Sequence, residues 1–314
     1  MNTVLIFLAI VFFLFQSAAL RNVKTHTLRQ NILSTATSSG IIAAALLIWA
    51  LIVQPPFSIG TLIYGVLFGA LFVATLEFYY FAMQSGPLSY TGFFFSASML
   101  IPSVAGLLFW GDPLNWKVIV GILLFLAAFY CITVPGGTKG GTFNKRWLFL
   151  CALTFIGNGS LSVVMYYQHQ WLNREKVPSQ SAQMMLVSFA SACLLSLFLC
   201  LCLKGKGGAF KEDGAVIRKS LLPIALVAIG TGGGNILTSY LSGVVAASYL
   251  YPVVQGGTML SISLYSMIVL REKVNLAGNP ISVAFVIIPN ICPVLPDWTL
   301  PNKRPMRCSQ KLKS

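Results

Sequence analysis

Charged side chains are scarce in this chain, and the scarcity excludes an ordinary water-soluble globular protein. Only 9% of the residues are Asp, Glu, Lys or Arg, whereas 56% are apolar. Soluble domains carry about 25% charged residues. Several apolar runs reach the roughly 18 to 20 residues that a helix needs to cross the hydrocarbon layer. We therefore expect a polytopic membrane protein whose main surroundings are a lipid bilayer.

Side chains that bind metals or catalyse reactions are also few, with two histidines and seven acidic residues. His26 and His169 lie near predicted span ends without ligand partners nearby in the sequence, and Cys200-Leu201-Cys202 lacks the spacing of a zinc or redox motif. An intramembrane enzyme would need a nucleophile with a base, paired acids or a metal. We therefore expect no cofactor, no metal and no enzymatic activity.

The apolar runs predict an all-α fold, because backbone groups in lipid must be hydrogen-bonded within the segment and no ten-residue alternation typical of a barrel is present. The predicted spans are 2–20, 32–53, 61–84, 88–110, 116–134, 147–168, 182–203, 220–241 and 245–270. A tenth segment, 281–296, is interrupted by Pro289 and Pro293. Because proline breaks helices, we expect ten spans of which nine are complete.

Two segments of the chain repeat the same design. Ser89–Asn115 and Tyr249–Asn275 align without a gap, pairing Met99 with Met259, and each ends in a short acidic turn. The copies lie in the fourth and ninth predicted spans, five positions apart in the span order, so they cross the bilayer in opposite directions, as in the inverted repeats of many transporters. The predicted divisions are a first five-helix repeat over 1–134, a linker over 135–146, a second repeat over 147–296 and a basic tail over 297–314.

The net charge is +14. We attribute it to membrane topology and not to nucleic-acid binding, because the basic residues lie beside the spans and Lys and Arg mark the cytoplasmic side. With the N-terminus outside, the loops after spans one, five, seven and nine carry 13 basic residues and the opposite loops carry 3. A retained first span fits this arrangement, because its basic residues follow the apolar run. We expect a multi-pass protein of the cell membrane with no nucleic-acid partner.

The repeat, the segment Ala246–Gly257 and the motifs Gly86-Pro87-Leu88-Ser89, Gly111-Asp112-Pro113-Leu114 and Arg271-Glu272-Lys273-Val274 resemble the EamA-type drug/metabolite transporter superfamily. The resemblance covers residues 1 to about 276. It implies a ten-helix carrier of two inverted five-helix repeats, which moves small metabolites or drugs by alternating access. The tenth segment departs from that pattern, and so does the predicted outside N-terminus.

Glu77 is the sharpest candidate for a functional side chain, because it is the only charged residue well inside a predicted span. A charge at the bilayer centre costs roughly 2.5 to 3.5 kcal/mol even on mild insertion scales, so such a residue usually faces a cavity or a partner. Helical spacing places Tyr80 and Gln84 on the same face. Glu77 is predicted to bind a proton or a cationic group of the substrate; its alternative role is a protonated side chain that only bonds a neighbouring helix.

Weaker candidates for the substrate- or proton-binding site are polar and aromatic residues of other spans. Asn158 and Asn235 lie beside glycines, which fits close helix packing or local unwinding around a substrate. Tyr240 aligns with Tyr80 in the repeat. The other two candidates, Tyr251 and Gln255, could line a substrate cavity between the helices, although tyrosines near span ends are often interfacial anchors.

The deep spans hold no Lys or Arg, which disfavours strongly anionic substrates. The leading hypothesis is a secondary transporter of small neutral, zwitterionic or cationic metabolites or drugs, with proton coupling as an option. A non-transporting membrane receptor or scaffold is the alternative, and an intramembrane enzyme is the weaker rival. The expected partners are a small-molecule solute and the lipid bilayer, and the sequence leaves a homodimer open.

Overall fold

Every described segment with regular structure in this protein is an α-helix. A computed structural model describes residues 2–20, 22, 23, 25, 27–85, 91, 94, 95, 97–110, 145–203 and 209–268. Within these ranges there is no β-strand. The predicted fifth span, the linker, the tenth segment, the basic tail and the acidic turns that end both repeat copies lie outside them. The predicted all-α class is confirmed for the described part of the chain.

Nine helices of at least ten residues are described. They are α1 (Asn2–Leu20), α2 (Leu28–Val53), α3 (Ile59–Ser85), α4 (Leu100–Phe109), α5 (Lys145–Glu175), α6 (Ser181–Cys202), α7 (Ala209–Lys219), α8 (Leu221–Ser242) and α9 (Ala247–Ile268). The helices α1, α2, α3, α5, α6 and α8 are long and apolar enough to cross a membrane. By helix length and composition, the chain is therefore a multi-pass membrane protein.

The helices form one bundle in which α1 packs along α8, α2 along α6, and α3 along both α5 and α6. Helix α9 lies against α1 and α4, α4 lies against α5, and α2 lies against α8. Three clusters of buried apolar side chains fill the spaces between the helices. The largest joins α1, α8 and α9, the second joins α2, α3, α5, α6 and α8, and a small third cluster surrounds Trp147 at the start of α5.

Contacts between helix ends define two ends of the bundle. At one end Asp213 of α7 contacts Gln30 at the start of α2, and Trp147 packs near Ala82 at the end of α3. We call this the α7 end. At the opposite end, Gln180 before α6 contacts Thr61 at the start of α3, and we call this the Gln180 end.

Two helical features differ from the sequence prediction. The predicted span 88–110 is interrupted, since a turn at Ser98 and Met99 precedes α4. Pro102 explains the turn: it has no N–H for the Ser98 carbonyl, which accepts from Ile101 N at 3.0 Å instead. The segment after α6 was predicted to be only a loop, but it contains the amphipathic helix α7.

Candidate functional site

Glu77 lies in α3, about 12 Å before the end of that helix at Ser85. Only 8% of its surface is exposed. The Asn31 side-chain amide of α2 donates to both carboxylate oxygens, with N–O distances of 3.4 and 3.3 Å. A carboxyl group that is nearly sealed from solvent and held by a neutral amide can exist with or without its proton. It is therefore suited to proton exchange or to contact with a cation.

The face of α3 predicted from helical spacing begins at this carboxylate and runs outward. Tyr80 is half-buried and lies within reach of both Glu77 and Gln84, and Gln84 is exposed. The three side chains therefore form a polar strip that leads from the α7 end of the bundle to the buried acid. This strip is the part of the predicted site that the structure brings together.

A second pair of charges lies beside this strip and was not among the predicted site residues. The Nε atom of Arg29 is 3.2 Å from an Asp213 carboxylate oxygen, and both side chains are less than 10% exposed. Gln30 donates to the other Asp213 oxygen at 3.1 Å. Thr27 starts α2 by accepting from Gln30 N at 3.2 Å, so this turn is fixed at its cap as well.

Asn158 stabilises the interrupted helix before α4. Its amide donates to the Ser98 hydroxyl at 2.6 Å and to the Phe95 carbonyl at 3.2 Å. A carbonyl that leaves the helical pattern inside a membrane needs such a partner. Gly157 and Gly159 on either side let α5 approach α3 and α4, because a Cβ at Gly157 would lie 2.3 Å from the Thr75 hydroxyl.

Asn235 forms a hydrogen bond within its own helix and lies in a region where helices pack closely. Its amide donates to the Thr231 carbonyl of its own helix at 2.8 Å. Three of the preceding glycines of α8 face α1, and a Cβ at Gly230, for example, would meet the Phe12 carbonyl at 2.7 Å. Tyr240 is partly buried and packs in the cluster between α1, α8 and α9. These contacts agree with close helix packing, one of the two interpretations open from the sequence.

Tyr251 and Gln255 lie in the first half of α9, away from Glu77. Tyr251 is 2% exposed, and its hydroxyl donates to the Ser162 carbonyl of α5 at 3.0 Å. Gln255 is half-buried. Trp110 stacks on Tyr166 with ring centroids 3.7 Å apart in the same region of α5. The predicted site residues are therefore spread along the bundle, with Glu77, Tyr80 and Gln84 forming one group.

A buried hydrogen-bond network lies at the Gln180 end. The Gln168 amide donates to the Thr61 hydroxyl at 3.1 Å, and Thr61 donates to the Gln180 side-chain oxygen at 2.7 Å. The same Gln180 oxygen accepts from Ser58 N at 3.0 Å. The network joins the start of α3 to the end of α5 and to the loop before α6, although these segments are distant in sequence.

We expect Thr61→Val to destabilise the protein by about 1 to 3 kcal/mol, because the isosteric side chain leaves the buried Gln168 amide and Gln180 oxygen with one partner fewer. Thermal unfolding in detergent measures the change. Thr37→Val is the matched control, since the Thr37 hydroxyl bonds only the Leu33 carbonyl of its own helix among the contacts described. Equal melting temperatures for the two variants would show that the network does not stabilise this end.

No three His, Cys, Asp or Glu side chains in the described ranges meet closely enough to hold a metal ion. His169 instead contacts the Ser239 carbonyl and the Ser181 hydroxyl at the Gln180 end.

Comparison with known proteins gives a fold and no family. No protein-family model matches the chain, and no curated protein does. A solved structure, described in its own record as "Crystal structure of protein", has 15% sequence identity and a TM-score of 0.63, over 92% of this chain and 96% of that chain. At this identity the likeness shows a shared fold alone.

Proposed function

We propose that this protein is a secondary transporter of small neutral, zwitterionic or cationic solutes, with Glu77 as its proton- or cation-binding group. The observation that carries the proposal is the Glu77 carboxyl, which is buried in a membrane-spanning helix and bonded to Asn31 of a neighbouring helix. A buried acid within the membrane is costly and generally marks a proton or ion pathway.

The helix packing supports a carrier built from two related halves. We pair α1 with α5, α2 with α6, α3 with α8 and α4 with α9, and exchange the two members of each pair. The contact of α1 with α8 then becomes the contact of α5 with α3. Likewise α3–α6 becomes α8–α2, α1–α9 becomes α5–α4, and α2–α6 and α4–α9 map onto themselves. All of these contacts are present. A packing pattern that survives exchange is typical of internal repeats.

The ends of the helices support an inverted relation between these halves. Ile6, near the start of α1, lies in one cluster with Leu241 at the end of α8. His169, near the end of α5, contacts Ser239 of that same end of α8. The start of α1 and the end of α5 therefore lie together, so the two equivalent helices run in opposite directions. We propose membership in the EamA-type superfamily on this packing and on the sequence motifs.

We propose that the protein lies in the cell membrane with its α7 end toward the cytoplasm. The described basic residues at that end are Arg29, Lys145, Arg146, Lys211, Arg218 and Lys219, and those at the Gln180 end are Arg174 and Lys176. Lys and Arg concentrate on the cytoplasmic side of membrane proteins. This arrangement places the start of α1 outside.

Cysteine labelling checks the orientation. Lys176 is exposed in the loop between α5 and α6, and Arg218 is exposed on α7. We expect an impermeant maleimide added to intact cells to label Lys176→Cys, and to label Arg218→Cys only after the cells are opened. The reverse pattern would contradict the proposed orientation.

The distribution of charge favours solutes without a strong negative charge. In the six long apolar helices, each Lys and Arg lies in the first or last turn, and Arg29 is already paired with Asp213. A phosphate or polyanion near Glu77 would have to compete with Asp213 for Arg29, and the other described cations lie at helix ends or in loops. Amines and zwitterions can instead contact the carboxylate and the aromatic ring of Tyr80.

Proton flux in vesicles tests the proposal. The purified protein is placed in vesicles that contain a pH-sensitive dye, and amino acids, amines and cationic dyes are added in turn. We expect at least one solute to drive a saturable proton flux that protein-free vesicles lack. The absence of flux for every solute, with tracer uptake also absent, would favour the receptor or scaffold alternative.

A further inference from the structure

We propose that α7 is a gate helix over the Glu77 site and that the first turn of α2 couples the two. The proposal rests on the proposed transport function, because a gate has meaning only if Glu77 is part of a pathway. It identifies Arg29, Gln30, Asn31 and Asp213 as residues that control access to Glu77 from the α7 end.

Three consecutive residues of α2 carry the coupling. Arg29 and Gln30 both bind the Asp213 carboxylate of α7, at 3.2 and 3.1 Å. The next residue, Asn31, binds the Glu77 carboxylate of α3. One helical turn thus contacts the surface helix on one side and the buried acid on the other. A movement of this turn changes both contacts together.

The shape of α7 fits a cover that rests on the bundle and is not embedded in it. Asp213, Ile217 and Ser220 are buried and recur at helical spacing, so they form the face toward the protein. Arg218 and Lys219 are exposed on the other side. Apart from the chain connection to α8, the α7 helix contacts α2 and α8. Among the described contacts of α7, the Asp213–Arg29 ion pair joins two buried, oppositely charged side chains.

We call the contact of Asp213 with Arg29 and Gln30 the latch, because in the proposal it holds the α7 end of the transport pathway closed. While Asp213 holds Arg29 and Gln30, the first turn of α2 stays against Glu77 and the α7 end is closed. When the contact breaks, the turn can move away, and the polar strip from Gln84 to Glu77 opens to the aqueous side. At the opposite end, the buried network around Thr61 and Gln180 joins the helices by hydrogen bonds.

Cysteine accessibility tests the latch without any solute. Ser34 is buried, 8% exposed, and shares a helix face with Gln30 and Asn31 one turn deeper in the bundle. A Ser34→Cys protein is treated with an impermeant maleimide from the α7 side, and mass spectrometry of the peptide that contains position 34 reports the modified fraction. We expect Asp213→Asn to raise the labelling rate about tenfold or more, because removal of one partner of a buried charged pair shifts equilibria by at least that factor.

Two further variants keep the test decisive. Arg218→Gln removes an exposed charge of the same helix and should leave the labelling rate unchanged. Arg29→Asp combined with Asp213→Arg restores an ion pair with reversed charges and should return labelling toward the parent rate. Gel filtration and thermal unfolding of each variant test whether the bundle is intact.

The outcomes separate the gate from the transport proposal. Unchanged labelling in a folded Asp213→Asn protein overturns the gate, whatever the protein transports. Raised labelling in Asp213→Asn that the charge exchange does not reverse also overturns the pairwise latch, since it would point to general loosening of α7. Latch-dependent labelling in a protein that moves no solute would refute the transport function and leave the coupling of α7 to α2 standing.

Discussion

Glu77→Gln is expected to abolish solute-driven proton flux, lowering it to the level of vesicles without protein. The Gln side chain has nearly the same size and can still bond Asn31, but it cannot bind and release a proton. The packing of α3 against α2 is therefore kept while the titratable group is lost. Initial rates of dye-reported flux across a range of solute concentrations measure the effect.

Glu175→Gln is the matched control for this variant. Glu175 is an exposed carboxylate at the Gln180 end, where it accepts from the Ser58 hydroxyl at 2.8 Å. Its change should leave the flux within about twofold of the parent, as is usual for exposed charges of small energetic weight. If Glu77→Gln retains full proton-coupled uptake, the coupling role of Glu77 is wrong. If it loses only the proton flux and still exchanges solute, Glu77 couples transport without being needed for solute binding.

Gly69→Ala is expected to lower the free energy of unfolding by about 1 to 3 kcal/mol, the usual cost of adding a methyl group to a tightly packed interior. A Cβ at Gly69 of α3 would lie 2.3 Å from the Ser188 carbonyl and 2.1 Å from the Ser191 hydroxyl of α6. The carbonyl belongs to the backbone, so α3 and α6 must separate. Thermal unfolding in detergent measures the loss.

Gly214→Ala is the control for this prediction. The position is exposed in α7, and a Cβ there has no atom within 4 Å. The same chemical change should be neutral or stabilise the helix by up to about 1 kcal/mol, because alanine has the higher helix propensity. Equal melting temperatures for the two alanine variants would contradict the close packing of α3 on α6.

The sequence predicted the long helices well because apolar runs of this length have few alternatives. The predicted span 2–20 coincides with α1. The predicted span 147–168 is too short, since α5 continues to Glu175 through His169, Asn173 and Arg174. Hydropathy marks where a helix leaves the apolar layer, whereas the helix itself continues into polar surroundings. The ten-helix layout remains a prediction, because the fifth and tenth segments lie outside the described residues.

The site was only partly predictable. Helical spacing correctly placed Glu77 beside Tyr80, because neighbours within one helix follow from the sequence. The partner Asn31 lies in another helix at the edge of a predicted span, and no local pattern connects it with Glu77. Helix α7 was missed because its eleven residues carry a mixed pattern that also suits a charged loop. Its Asp213 carries no sequence signal for a bond to Arg29.

The interrupted segment before α4 shows the same limit. Pro102 is visible in the sequence and announces a local break. That the Phe95 carbonyl, which also accepts from the Ser98 hydroxyl at 2.7 Å, is bonded by Asn158 depends on how α5 packs against the turn. Asn158 was therefore predicted as a candidate because glycines flank it, whereas its role in supporting the turn could be recognised only from the structure.

Solute counterflow tests the central claim most directly. Vesicles with the protein are loaded with a high concentration of one unlabelled solute from the panel and then diluted into a trace of the same labelled solute. A carrier that works by alternating access must return with labelled solute, so the account predicts a transient accumulation of label above its equilibrium level. Label that never exceeds the level in protein-free vesicles, for every solute of the panel, would contradict the assignment of a transporter.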